Sequence, residues 1–209
     1  MIAKEKLNIL WSLEQTAEKY ADRVAVSDVN QELTWKELVK KAQVIGVELS
    51  EKVQPGNPVP VLLEKSSETL AVMLGIVYAG CFYVPVNPMN PAERLRKIME
   101  KLEPEVIISD EKGKEQLAAV GIGLEEKVIG PETLLPTTGT DLSKEQRSKL
   151  EQIQGQWKET DALYGIFTSG STGTPKAIVV SHGAASRFIR HFTEIFEITS
   201  EDVIGNQAP

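Results

Sequence analysis

The sequence contains a single cysteine and no long uninterrupted hydrophobic run. One cysteine excludes an internal disulfide framework and removes any case for a cysteine-based zinc site. Because Cys81 lies in the apolar run 79–84, we expect it to be a small buried side chain rather than a reactive thiol. The longest apolar stretch, which begins at Leu70, is too short and too interrupted to span a bilayer. We therefore expect neither a disulfide scaffold nor a membrane protein.

Positive charge is also in deficit, since 23 Lys and Arg residues face 30 Asp and Glu residues and the formal net charge is −7. An acidic surface repels nucleic acids and anionic membranes, so neither is an expected partner. Residues 1–6 carry charges and lead into an amphipathic stretch, unlike the apolar core of a signal peptide. The composition is typical of a soluble globular protein. We expect a cytoplasmic protein.

Strand-like and helix-like segments alternate along the chain. Apolar runs at 59–63, 82–86 and 105–109 predict buried strands, and segments with helical spacing lie between them. This alternation predicts an α/β fold in which a mostly parallel sheet is covered by helices. From about residue 130 to residue 161 the chain becomes polar, and we expect an exposed excursion with one helix near residues 144–153.

Several local signals predict where helices begin and end. Thr34 followed by Glu37 forms a capping-box pattern, in which the hydroxyl and the carboxylate satisfy exposed helix amides. Asn90 is expected to cap a later helix, with Pro91 in its first turn. Gly80 is expected to close the helix before it by adopting the left-handed conformation.

The segment between two predicted strands, 163–167 and 177–180, consists almost entirely of glycine and hydroxyl residues. Glycines allow backbone amides to approach a polyphosphate together, and hydroxyl groups add further donors. Lys176 supplies a full positive charge. Hydrogen bonds to charged groups contribute roughly 1.5–3 kcal/mol each, so a few converging donors suffice to hold a triphosphate. The segment therefore predicts a phosphate-binding loop over residues 168–176.

Three other interpretations of this loop compete with phosphate binding. A Walker-type P-loop needs a glycine before the lysine and a hydroxyl residue after it, but Pro175 and Ala177 occupy those positions, and a strand-like run follows instead of a helix. A serine nucleophile at Ser169 or Ser171 would need the Gly-x-Ser-x-Gly spacing, which is absent. The third interpretation is a hairpin without a ligand, because short loops of Ser, Gly and Thr commonly form turns. From the residues alone it stays open.

The full string from Tyr164 to Lys176 resembles the signature of the adenylate-forming superfamily, which includes acyl-CoA synthetases, luciferases and the adenylation domains of nonribosomal peptide synthetases. Residues 33–38 and 78–88 resemble the first two core motifs of peptide-synthetase adenylation domains, although helix and strand formation explain both without catalysis. Residues 206–209 resemble the approach to the next motif in carrier-protein-loading members, including D-alanine ligases. The resemblance therefore favours the amino-acid adenylation and D-alanine–carrier-protein ligase branch.

This resemblance implies a two-step reaction. A carboxylic or amino acid attacks the α-phosphorus of Mg-ATP to give an acyl-adenylate, and a thiol of coenzyme A or of a carrier protein's phosphopantetheine then takes the acyl group. ATP and Mg²⁺ are the expected cofactors, no metal site built by protein side chains is expected, and no catalytic residue is assigned. The residues that carry over by position as contacts to the β- and γ-phosphates are Thr168, Ser169, Gly170, Ser171, Thr172, Gly173 and Lys176.

The resemblance also implies that residues 1–209 are the N-terminal portion of an AMP-forming adenylation domain whose C-terminal remainder is absent. The family's acid pocket, adenine-contacting loop, ribose-binding aspartate and C-terminal catalytic lysine would lie elsewhere, so we expect no adenylation activity from these residues alone. The alternative is a non-catalytic folded fragment or interaction module derived from such an enzyme. His182 is interpreted as a brace for a helix start, with ligand contact as the alternative, and His191 as part of a solvated helix face.

Overall fold

The computed structural model describes residues 7–135, 141–168 and 175–206. Its elements, in chain order, are α1 (Ile9–Lys19), β1 (Val24–Ser27), β2 (Glu32–Thr34), α2 (Trp35–Leu49), β3 (Pro58–Leu62), α3 (Ser67–Tyr78), β4 (Phe82–Pro85), α4 (Ala92–Leu102), β5 (Ile107–Ser109), α5 (Glu111–Val120), a 3₁₀ turn (Glu125–Lys127), β6 (Val128–Ile129), α6 (Pro131–Leu134), α7 (Lys144–Gly155), β7 (Ala162–Thr168), β8 (Lys176–Ser181) and α8 (His182–Ile195). None of the described helices is both long and apolar enough to cross a bilayer.

The centre of the molecule is a six-stranded sheet in the spatial order β6, β5, β3, β4, β7, β8. Its neighbouring strands run parallel except for β7 and β8, which form an antiparallel pair. The strands β1 and β2 form a separate antiparallel hairpin. The predicted α/β fold with a mostly parallel, helix-covered sheet is confirmed. Because β3, β4 and β7 run parallel, their carboxyl ends lie along the same edge of the sheet.

Two hydrophobic clusters cover the two faces of this sheet. Successive residues of β3 and β5 alternate between them: Val61 and Ile108 belong to the cluster beneath α1, α2 and α3, whereas Leu62 and Ile107 belong to the cluster beneath α4 and α5. This alternation is expected because neighbouring side chains of a strand point to opposite faces. The sheet is therefore buried on both sides over β3 and β5, as parallel strands require.

Helices α2 and α3 approach each other closely in the first cluster. Gly46 on α2 and Gly75 on α3 make this approach possible, because a Cβ at Gly46 would overlap the Cβ of Tyr78 and a Cβ at Gly75 would overlap the side chain of Ile45. Tyr78 and Ile45 are both fully buried. A side chain larger than hydrogen at either glycine would therefore push the two helices apart.

The helix-end signals are confirmed except at one position. Thr34 Oγ1 accepts from the Glu37 amide at 3.3 Å, and Glu37 Oε2 accepts from the Thr34 amide at 2.9 Å, which completes the capping box. Gly80 follows α3 with φ of 81°, the left-handed conformation that favours glycine. The prediction that Asn90 caps α4 with Pro91 in its first turn is wrong, because α4 begins at Ala92 and Pro91 is the capping residue, without a side-chain cap bond. Asn90 instead ends a turn, in which its amide donates to the carbonyl of Asn87 at 3.0 Å.

The polar stretch from residue 130 to residue 161 contains the predicted helix as α7 and, before it, the four-residue α6. Leu134 and Leu150 from this stretch are buried in the first cluster. The described part of the stretch therefore packs against the body of the domain at two points, and residues 136–140 lie outside the described residues.

Candidate phosphate-binding site

The predicted loop is held between the last residue of β7 and the first residue of β8. Thr168 and Lys176 are the final cross-strand pair of this antiparallel hairpin, and their side chains therefore leave the same face of the sheet. Thr168 Oγ1 lies 3.5 Å from the Lys176 carbonyl oxygen, and both side chains are exposed. Pro175, which directly precedes Lys176, is buried and holds the start of β8 against the molecule.

The structure thus brings two of the predicted site residues, Thr168 and Lys176, side by side as a cross-strand pair. The other candidates lie outside the described residues: Ser169, Gly170, Ser171, Thr172 and Gly173. Their contacts with phosphate stay predictions.

Lys176 begins a strand and not a helix, which separates this loop from a Walker-type P-loop. A Walker loop leads into a helix whose first amides help to hold the phosphates. Here β8 follows directly and pairs with β7 along its length. Any phosphate bound at this place must rely on the loop and on nearby side chains instead of a helix N-terminus.

A second cationic side chain, Arg94, lies beside the end of β7. The Arg94 guanidinium donates from Nη2 to the carbonyl oxygen of Phe167 at 3.5 Å, and the side chain is half-buried. Its neighbour Leu95 is fully buried, which holds the first turn of α4 against the sheet. No local signal could identify this contact, because it exists only where β4 pairs with β7 and brings the start of α4 to the end of the hairpin.

This end of the hairpin lies at the carboxyl edge shared by β3, β4 and β7. In open α/β sheets, ligands bind outside the carboxyl ends of the strands. Thr168, Lys176 and Arg94 therefore meet at an edge where the fold class commonly binds small molecules, and the charge they present is positive.

The opposite end of the hairpin is a packed junction. His182 is buried, its ring stacks on Trp157 with centroids 5.6 Å apart, and its amide donates to the carbonyl of Asp161 at 3.0 Å. Burial lowers the pKa of His182 to about 4, and the charge of Asp161 opposes this shift only in part. With roughly 3.3 Å of rise per strand residue, His182 lies about 20 Å along β8 from Lys176. The structure supports the interpretation of His182 as a brace.

A groove of about 670 Å³ lies at the carboxyl ends of β5 and β6, on the other side of β3 and β4 from the hairpin. Its charged lining residues are Glu48, Lys52, Asp110, Glu111, Lys114 and Glu132. Carboxylates outnumber ammonium groups there, so this groove is unsuited to a triphosphate. Over the ranges 7–135, 141–168 and 175–206, no group of three His, Cys, Asp or Glu side chains lies close enough together to hold a metal ion.

The fold and the hairpin define an α/β domain that carries a glycine- and hydroxyl-rich loop at the carboxyl edge of its sheet. The profile of the AMP-binding enzyme family matches residues 13–209, and the chain belongs to that family. Bacitracin synthase 1 from Bacillus licheniformis is 32% identical to it over an alignment of 194 residues, and the match covers 90% of this chain and 3% of that protein. These findings confirm the predicted superfamily and its peptide-synthetase relatives.

Two solved structures show the same fold. The nonribosomal peptide synthetase FmoA3, in an AMPPNP-bound form, matches 95% of this chain and 20% of its own with a TM-score of 0.76 and 24% identity. VinN, in a complex with L-aspartate, matches 91% of this chain and 52% of its own with a TM-score of 0.74 and 23% identity. The chain therefore spans a small part of the synthetases and about half of VinN.

Proposed function

We propose that this chain is the N-terminal, phosphate-handling portion of an adenylation domain that uses ATP to activate a carboxylic or amino acid. The observation that supports this most directly is the convergence of Lys176, Thr168 and Arg94 at the end of β7, within a chain of the AMP-binding enzyme family. Two cationic residues and a hydroxyl residue at the same end of the hairpin suit the tail of a nucleotide better than a neutral ligand.

In the proposed reaction, negative charge builds up on the departing pyrophosphate. A carboxylate oxygen of the acid forms a bond with the α-phosphorus of ATP while the bond from that phosphorus to the bridging oxygen breaks, and pyrophosphate departs with the electron pair. The Lys176 ammonium group and the Arg94 guanidinium stabilise the charge that builds on the departing β- and γ-phosphates. The Thr168 hydroxyl donates to a phosphate oxygen and fixes its orientation.

The loop supplies the remaining donors in this proposal. The backbone amides and hydroxyls that would line the phosphates belong to Ser169, Gly170, Ser171, Thr172 and Gly173. Mg²⁺ bound to ATP would neutralise further phosphate charge, since it is normally held by phosphate oxygens, water and few protein ligands.

The substrates beyond ATP are proposed from the relatives. VinN was solved with L-aspartate, which favours an amino acid as the acid substrate. The acceptor of the acyl group is proposed to be a thiol, either phosphopantetheine on a carrier protein or coenzyme A, in the cytoplasm. The acid-binding and adenine-binding elements are proposed to belong to polypeptide outside these 209 residues.

The proposal is tested by the binding of ATP and of inorganic tripolyphosphate to the 209-residue chain. Replacing Lys176 with alanine removes one charge-assisted contact of roughly 1.5–3 kcal/mol, which corresponds to a loss of affinity of about 10- to 150-fold for both ligands. Lys101→Ala removes the same charge from an exposed position in the last turn of α4 and is the matched control. Calorimetry that finds equal affinities for the two variants would refute the assignment.

A further inference from the structure

We draw no further inference here: the strongest candidate, the exposed apolar face of α8 that includes Phe188, Phe192 and Phe196, carries nothing, because no described part of the structure shows what covers it.

Discussion

Replacing Gly75 with alanine adds one methyl group where α2 and α3 are closest. The new Cβ would overlap the side chain of Ile45, which is fully buried, and would lie 3.1 Å from the carbonyl oxygen of Ala42. The overlap falls on the branched carbon of Ile45 and on backbone, neither of which can turn away as the end of a long side chain would. The two helices must move apart.

The size of the effect follows from two opposing contributions. Overpacking a well-filled core costs up to about 3 kcal/mol. Alanine in the middle of a helix recovers about 1 kcal/mol relative to glycine. We therefore expect Gly75→Ala to lower the free energy of unfolding by about 2 kcal/mol, which for a domain of this size corresponds to a Tm lower by about 4–8 °C.

Gly155→Ala is the matched control, because it is the same substitution in another helix. Gly155 is the last residue of α7, and a Cβ there would meet no atom within 4 Å. Helix propensity then acts without steric cost, so we expect the free energy of unfolding to rise by about 0.5 kcal/mol. Urea unfolding followed by tryptophan fluorescence measures both. If Gly75→Ala proves as stable as Gly155→Ala, the reasoning about the close helix contact is wrong.

Three further predictions concern the hairpin base, the phosphate site and a helix start. Because the fold holds His182 neutral and lowers its pKa from 6.5 to about 4, the unfolded chain binds more protons in this window, and stability that is complete above pH 6.5 declines as the pH falls. Urea unfolding at pH 7.5 and 5.0 should show about 2 kcal/mol of this loss in the wild type and not in His182→Gln, and equal losses would contradict the assignment. Arg94→Ala should weaken ATP binding several-fold in calorimetry relative to Lys101→Ala on the same helix, and an unchanged affinity would remove Arg94 from the site. Thr34→Ala should lower the free energy of unfolding by about 1 kcal/mol through loss of the capping box, whereas Thr34→Ser should keep most of it, and thermal unfolding that ranks the two equally would show that the cap contributes nothing.

Short-range patterns in the sequence were enough for most of the secondary structure. The helix predicted near residues 144–153 forms as α7, the capping box at Thr34 forms, and Gly80 takes the left-handed conformation. These features depend on residues a few positions apart, so the sequence carries them directly. Asn90 does not cap α4, because its amide closes a turn that begins at Asn87. This turn is also a local feature, and α4 begins one residue later than the sequence predicted.

The family could also be identified from the sequence, because the motif at residues 164–176 is continuous. The sequence alone therefore determined the fold class and the family, whereas the phosphate contacts of residues 168–176 stay a prediction. Contacts between distant segments were decided only by the tertiary structure. Arg94 reaches Phe167 because β4 and β7 are neighbours, and His182 is buried because Trp157 covers it. Such contacts join residues far apart in the chain, so they depend on which segments pack together in three dimensions and not on any local pattern of residues.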